Sequence, residues 1–327
     1  MKPNLFFNIL VITLSLVVLF AAWIIPTAWA GEWSAQIGVG AGWMKTESHL
    51  DPEDDNKRLD SLNQSPKSES DFLPVAAFEI NYQISRQTGI YGGIPLENGP
   101  NPTLGFRHDT GRTGEFDLSV FYALPDEVWA DPYLTGVNRT ETDQDQYGAK
   151  LAYELGDFEL SYEARVVDVD KDDIGVRLPN LKRDGTVHQL ETGYGIELGQ
   201  GFEITPSIGF VMADMDGKSN EYQGFSAGLT LQKFWQNWMM MVSIGGRVNE
   251  YDASHPVFNQ TREDDILESM AVVSWFNPLG FDNFSLSFGA GYEKIDSNIR
   301  FYDEKQMMTF FMIGYRFGAG GPGQDDD

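Results

Sequence analysis

The sequence predicts an all-β protein, a transmembrane antiparallel up-and-down β-barrel of about 14 strands, within a range of roughly 12–16. The first observation is that apolar and polar residues alternate in short segments along the whole chain. The second is that long acidic links alternate with short ones, and the third is that aromatic residues gather at segment ends. Alternation with a period of two is typical of strands with two unlike faces, and aromatic girdles mark the borders of a membrane-spanning barrel.

The first thirty residues predict an export signal. Lys2 precedes an apolar run over residues 5–25, Pro26 ends that run, and Ala-Trp-Ala at 28–30 forms a small-residue cleavage site. A membrane anchor that is retained is the alternative. We therefore expect a cleaved signal peptide over residues 1–30, the barrel over residues 31–317, and a disordered acidic tail over residues 318–327.

Composition excludes several classes of protein. Lys and Arg total 23 against 49 Asp and Glu, a net charge of −26, and a chain this acidic lacks the basic footprint that nucleic acids require. The absence of Cys removes disulfides, thiolate metal sites and Cys nucleophiles together. A mean hydropathy of −0.30 argues against a bundle of membrane helices.

Alternation begins directly after the signal and locates the strands. In the first segment Trp33, Ile37 and Trp43 alternate with Gly38 and Gly42, so an aromatic residue lies at each end of the apolar face. Each segment is near the ~9–11 residues that a tilted strand needs to cross a bilayer. The predicted strands lie near residues 33–43, 77–84, 88–96, 101–109, 115–124, 147–154, 158–166, 189–198, 202–212, 225–231, 238–248, 265–276, 284–292 and 307–317.

The links between strands predict the orientation. Residues 45–71, 125–143, 171–186 and 252–264 are long, polar and acidic, whereas the links between them are short. Outer-membrane barrels have long loops outside and short periplasmic turns, and an even strand count returns both termini to the periplasm. Pro206 lies inside one predicted strand, where it lacks the N–H for the ladder, so we expect irregular pairing there.

A soluble β-sandwich, which also alternates apolar and polar residues, is the main alternative to the barrel. Full charges such as Glu163 and Arg165 lie in mid-strand on the polar face, which suits a wet lumen. The last strand ends in Tyr315 and Phe317, which resemble the terminal signal by which outer-membrane barrels are assembled. We therefore expect a monomer in the outer membrane of a Gram-negative bacterium. Its expected partners are outer-membrane lipid, lipopolysaccharide and, during biogenesis, the barrel-assembly machinery.

A family resemblance is carried by the long links. The segments PDEVW at 125–129, DPYLTG at 131–136 and RTETD at 139–143 are the most specific, and RDG at 183–185 and LDSL at 59–62 fit them. These segments resemble an uncharacterised Gram-negative family known as domain of unknown function 2860, over most of the mature chain. The resemblance implies an outer-membrane barrel, and it implies no activity, substrate or catalytic residue.

Three motifs that suggest chemistry have simpler explanations. Gly224-Phe225-Ser226-Ala227-Gly228 matches the nucleophile elbow, but that motif needs a strand–turn–helix context, and here it lies within an alternating segment. His188 falls on the lipid-facing side near the outer rim, and no motif pairs it with a serine. The acidic run at 168–173 starts like a calcium loop but lacks the required Gly and Glu, although such loops suit loosely bound divalent cations. We expect no catalytic residue, metal site or cofactor, with a lipase-like enzyme as a distant alternative.

The polar face of the strands supplies the candidate functional residues. Charged rings in a pore select solutes, whereas charges that pair across the lumen partly block it, and both interpretations stand. The sequence therefore predicts either a narrow passive channel for small solutes or a closed structural or surface-interaction barrel with acidic loops. In an open lumen we expect Arg165 and Arg247 to help set selectivity. The pore-lining candidates are Glu79, Arg107, Asp117, Lys150, Glu163, Arg165, Glu191, Arg247 and Arg316.

Overall fold

The computed structural model describes residues 32–52, 56–95 and 101–318. The expected signal peptide and the tail beyond Gly318 lie outside the described residues. The described chain consists mostly of strands. They are β1 (Glu32–Glu47), β2 (Ser68–Ser85), β3 (Thr88–Ile94), β4 (Thr103–Asp109), β5 (Glu115–Trp129), β6 (Glu141–Leu155), β7 (Phe158–Val169), β8 (Gly185–Tyr194), β9 (Ile196–Gly199), β10 (Phe202–Met215), β11 (Tyr222–Trp235), β12 (Trp238–His255), β13 (Gln260–Phe276), β14 (Phe284–Ser297) and β15 (Glu304–Gly318).

These strands form one closed antiparallel sheet in which each strand pairs with its neighbours along the chain. β1 pairs with β2 on one side and with β15 on the other, which closes the ring. β8 and β9 both pair with β10, so they occupy one position, and the barrel has 14 strands. The predicted fold class and strand count are confirmed, including the two weakly patterned strands β3 and β4.

The expected irregularity at Pro206 is present. The break between β8 and β9 at Gly195 falls between the pairs Ser207–Gly193 and Ile204–Ile196, which is directly opposite Pro206. Because proline has no N–H to donate, the ladder with β10 stops there. On the side of β7 the pairing continues, where the N–H of Gly195 donates to the carbonyl of Asp157 at 2.7 Å. Pairing of Pro206 with Leu229 on the other side is uninterrupted.

An apolar belt covers the outward face of the barrel. On β12, Trp238, Ile244 and Val248 point outward, and large apolar side chains elsewhere on this face are strongly exposed, with Phe225 at 70%. Trp238 stacks on Trp275 with ring centroids 5.1 Å apart, which builds part of the aromatic girdle. Apolar side chains left this exposed need lipid around them, as in membrane-spanning barrels.

Several strands continue beyond the belt, which corrects the predicted loop bounds. The link expected over 252–264 contains only residues 256–259, because β12 extends to His255 and β13 begins at Gln260. The loops expected over 45–71, 125–143 and 171–186 shorten to 48–67, 130–140 and 170–184. Backbone pairing continues where the side chains have become polar, so apolar alternation marks only the part of each strand that lies in lipid.

The longest loops, 48–67, 130–140 and 170–184, all lie at one end of the barrel, which we call the outer end, and two-residue turns such as 86–87, 156–157 and 236–237 lie at the inner end. Helical structure in the described residues is limited to α1 (Asp173–Arg177) and short 3-10 turns such as Arg300–Tyr302. In the part of the chain that the structure describes, none of the helices has the length and apolar character needed to span a membrane.

Candidate functional site

All nine predicted lumen residues lie on inward-facing positions. This follows from the alternation on each strand, in which the neighbouring residues face lipid. Arg107 and Asp117 form a paired cluster near the inner end. The guanidinium of Arg107 lies 3.0 Å from the carboxylate of Glu115 and 3.1 Å from that of Asp117. Tyr91 donates its hydroxyl to Asp117 at 2.7 Å and is buried against Gly105, where a Cβ would lie 2.1 Å from the Tyr91 ring. This part of the lumen is filled by paired charges.

The other candidates remain largely unpaired. Glu79 accepts a hydrogen bond from Asn81 at 2.7 Å, and Arg247 approaches Glu268 only to 3.9 Å. Within the described residues, no ion pair shorter than 4 Å is made by Lys150, Glu163, Arg165, Glu191 or Arg316. The Nε atoms of Arg165 and Arg247 are buried and lack a hydrogen-bond partner in the structure. Mutual pairing therefore accounts for only part of the lumenal charge.

A cavity of about 350 Å³ lies in the lumen beside β8 and β10–β15. Small residues such as Ser207, Gly228 and Gly245 leave the space open, and Glu268 and Glu293 line it. Neither glutamate was among the sequence candidates: residues 265–276 alternate too irregularly for the face of Glu268 to be assigned, and Glu293 lies just beyond the predicted strand 284–292. The cross-strand pair Glu268–Glu293 is visible only once the register of β13 and β14 is known.

The wall beside this cavity is apolar and rich in methionine. Phe310 and Met312 are buried with Val272, and Met270 and Met308 pack against them. Phe310 fills a notch at Gly289, where a Cβ would lie 2.3 Å from the ring. Sequence reasoning missed this wall, since inward methionines look like ordinary lipid-facing residues until their parity is known. The lumen therefore combines an apolar wall with a polar, charged one.

A folded lid lies over the outer end. We call the lid the segments 48–52, 56–67, 130–140, 256–259 and 298–303. It has its own apolar core of Leu59, Ile299, Phe301 and Tyr302, against which Leu50, Leu62, Tyr133 and Phe258 pack. The hydroxyl of Tyr133, from the β5–β6 loop, lies 2.5 Å from that of Tyr302 in the β14–β15 loop. Because these loops arise on opposite sides of the ring, the lid crosses the mouth of the barrel.

Arg139 joins three parts of the lid from a fully buried position. Its Nη1 donates to the carbonyls of His49 at 2.8 Å and Pro132 at 3.0 Å, and its Nη2 donates to that of Asn56. The guanidinium also lies over the Trp129 ring, 4.1 Å from its centroid. Burial lowers the pKa of Arg139 to about 10, so it stays charged at neutral pH. Hydrogen bonds from a charged donor are the strong kind, and this one residue joins the β1–β2 and β5–β6 loops.

Two histidines at the lid are fully buried and neutral: His49 lies in the lid itself, and His255 is the last residue of β12, directly before segment 256–259 in the chain. His255 Nε2 lies 2.8 Å from the hydroxyl of Tyr302 and 3.1 Å from that of Tyr133, while its Nδ1 accepts the N–H of Val257 at 3.2 Å. Burial, with Arg262 nearby, lowers the pKa of His255 to about 4. Burial also lowers the pKa of His49, whose Nδ1 lacks a hydrogen-bond partner in the structure.

The acidic run at 168–173 supports the lid rather than forming a calcium loop. The carboxylate of Asp172 accepts hydrogen bonds from Arg183, whose guanidinium also donates to the carbonyls of Trp129 and Ala130. Arg177 pairs with Asp131 at 2.6 Å. In the described residues no group of three His, Asp or Glu side chains is placed to hold a metal ion.

The two residues that suggested a hydrolase lie on opposite faces of the wall. Ser226 lies within β11, paired with Gly209 and Arg247, and points into the lumen. His188 points outward, and its Nδ1 lies 2.8 Å from the hydroxyl of Tyr162. Because a strand wall separates them, this serine and this histidine cannot form a nucleophile–base pair.

A closed 14-stranded antiparallel sheet with an apolar outer belt and a polar lumen has the architecture of an outer-membrane β-barrel protein. The chain belongs to the family described as protein of unknown function DUF2860, whose model matches residues 32–316. None of the curated proteins compared with the chain matches it.

Several solved structures are similar in fold. OmpT folded in vitro, an outer membrane protein of Vibrio cholerae, is 8% identical with a TM-score of 0.45, over 90% of this chain and 100% of that chain. A FadL homologue of Pseudomonas aeruginosa is 10% identical with a TM-score of 0.43, over 88% and 90%. The outer membrane channel DcaP of Acinetobacter baumannii is 10% identical with a TM-score of 0.40, over 86% and 97%.

Proposed function

We propose that this protein is a monomeric channel for small solutes in the outer membrane of a Gram-negative bacterium, with the lid as an extracellular gate. The observation that carries the proposal is the lumenal cavity of about 350 Å³ together with the unpaired charges around the lumen. An ionised side chain without a partner is costly in a dry interior, so Lys150, Glu163, Arg165 and Glu191 require water around them. A hydrated lumen suits the passage of small solutes.

A closed structural or surface-interaction barrel is the second candidate, and the lid favours it. The lid has a buried core and a fully buried arginine, which is more internal structure than loops need if they only join neighbouring strands. On that reading the lid presents a fixed surface to cations, lipopolysaccharide or a partner. We propose no catalytic role, because Ser226 and His188 lie on opposite faces.

Single-channel recording of the purified full-length barrel in planar bilayers separates the two. We expect discrete conductance steps from the wild type. Arg139→Ala should spend more time open, because it removes the hydrogen bonds that join the β1–β2 and β5–β6 loops. Arg58→Ala, which removes an exposed arginine of the same lid, is the matched control and should behave as wild type. If both wild type and Arg139→Ala insert as folded barrels and give no steps, the closed structural barrel is correct.

A further inference from the structure

We propose that the channel conducts small cations along one oblique row of inward side chains, which we call the acidic row. This inference rests on the proposed channel function. The row follows the paired residues of successive strands, and because strands in a barrel are tilted, such a row climbs as it crosses the wall. We follow it from Glu154, beside the β6–β7 turn at the inner end, through Glu159 and Gly193. It ends at Thr46 and Glu69, beside the β1–β2 loop at the outer end.

The middle of the acidic row is made of small residues. Gly193 pairs with Ser207, Ser207 with Gly228, and Gly228 with Gly245. None of these side chains reaches far into the lumen, and the cavity of about 350 Å³ is lined by Ser207, Gly228 and Gly245 themselves. The open space of the lumen therefore follows the row.

Beyond the small residues the row becomes acidic again. Gly245 pairs with Glu268, Glu268 with Glu293, and Glu293 with Gln306, which in turn pairs with Thr46. Glu268, Glu293 and Gln306 also line the cavity. The row thus carries five glutamates when both of its ends are counted, and no position of the row carries a basic residue. Carboxylates in a confined passage concentrate cations and repel anions.

The lumenal cations lie off the row. Lys150 is two inward positions along β6 from Glu154, and Arg165 is three along β7 from Glu159. Arg247 is the nearest, on the neighbouring row, and its Nη2 lies 3.9 Å from Glu268. The sequence expectation that Arg165 and Arg247 help set selectivity is therefore extended: the acidic row determines the sign of the permeant ion, and Arg247 moderates it at Glu268.

Charge selectivity is tested by reversal potential under a KCl gradient, in wild type and in an Arg139→Ala background that weakens the lid. We expect a K⁺ over Cl⁻ preference that falls about 3- to 10-fold in the double variant Glu268→Gln/Glu293→Gln. Asp265→Asn removes the same charge three residues from Glu268 but on the outward face, so it should leave the ratio unchanged. Replacing K⁺ by tetramethylammonium then distinguishes inorganic from organic cations as permeant ions.

The route is tested by filling the row. A Cβ at Gly245 would lie 3.6 Å from the Ala227 carbonyl, an ordinary contact, so Gly245→Leu should fold and occupy the cavity. A Cβ at Gly246 is equally free, 3.7 Å from the Ile266 carbonyl, but faces lipid, which makes Gly246→Leu the matched control. We expect Gly245→Leu to lose at least half of the conductance and Gly246→Leu to keep it.

An anion-selective pore would overturn the inference, and so would a pore in which Glu163→Gln, off the row, lowers the ratio as much as the Glu268→Gln/Glu293→Gln variant. Equal conductance in the two glycine variants would also overturn it. These outcomes leave the channel function standing, whereas folded barrels without conductance in every variant contradict both proposals.

Discussion

Tyr133 and His255 come from opposite sides of the barrel and meet above the lumen, with the Tyr133 hydroxyl 3.1 Å from Nε2 of His255. Tyr302 completes the contact, since its hydroxyl lies 2.8 Å from the same nitrogen. Two loops and the end of β12 thus share one polar centre within the apolar core of the lid, so the closed position of the lid is a specific packed state. The stability of the closed lid relative to an open one therefore depends on a few identifiable groups.

The first prediction concerns Arg139, which holds the lid together. Arg139→Ala should make the lid susceptible to protease while the barrel remains intact, because each lost hydrogen bond from a charged donor contributes about 1.5–3 kcal/mol. The measurement is the cleavage rate of the folded barrel in detergent, with the difference between boiled and unheated gel positions as the test of the barrel. Arg58→Ala should be cleaved as wild type, and equal cleavage of the two variants would assign no special role to Arg139.

The second prediction concerns pH. Protonating His255 sets a second N–H against the N–H of Val257, and it adds a charge beside Arg262, which pairs with Asp264 and lies over the Tyr302 ring. The pKa of His255 is about 4 in the closed lid against an ordinary 6.5, so the open state binds more protons between these values. Closed-lid stability is therefore complete above pH 6.5 and is lost as the pH falls towards 4.

Protease susceptibility of the lid should rise on the order of 10-fold between pH 7 and pH 5. His255→Phe should flatten most of this dependence, leaving a smaller part from His49, which is also buried. His188→Phe removes a histidine on the lipid-facing side and should keep the wild-type profile. A His255→Phe profile identical to that of wild type would show that His255 does not couple the lid to pH.

The third prediction concerns the apolar wall. Gly289→Val places a Cβ about where the Phe310 ring lies, 2.3 Å from Cε1, so the ring must leave its rotamer at a cost of about 1–3 kcal/mol. We expect the folded barrel to lose its compact gel position at a lower incubation temperature than the wild type does. Gly246→Val, on the lipid-facing side of β12 where a Cβ has room, is the control. Equal stability of both variants would mean that Phe310 does not fill the Gly289 notch.

The fourth prediction concerns topology in the membrane. Single cysteines at Ser61 and Val137, both exposed in the lid, should react with an impermeant thiol reagent on intact cells. A cysteine at Asp157, in the short β6–β7 turn, should react only after the outer membrane is permeabilised. The Cys-free chain makes the background low. Labelling at Asp157 alone would reverse the orientation.

Local patterns predicted the barrel well, because alternation and Pro206 act through neighbouring residues. They placed His188 on the lipid-facing side and gave the strand count, and they failed over 252–264, where polar strands continue pairing above the membrane. The lid could not be predicted, since Arg139 bonds to His49 and Asn56, far away along the chain. The acidic row could not be predicted for a similar reason, because its members lie on many strands and align only through the register of those strands.

The most direct test of a gated lumen is to fasten the lid. Arg58 and Asn138 are exposed and form an isolated antiparallel bridge between the β1–β2 and β5–β6 loops, a geometry that suits a disulfide. In single-channel recordings, oxidised Arg58→Cys/Asn138→Cys should stay closed, and a reductant should restore wild-type openings within the same bilayer. Arg58→Cys alone should not respond to reductant. Equal conductance of the double variant before and after reduction would show that the lid does not gate the lumen.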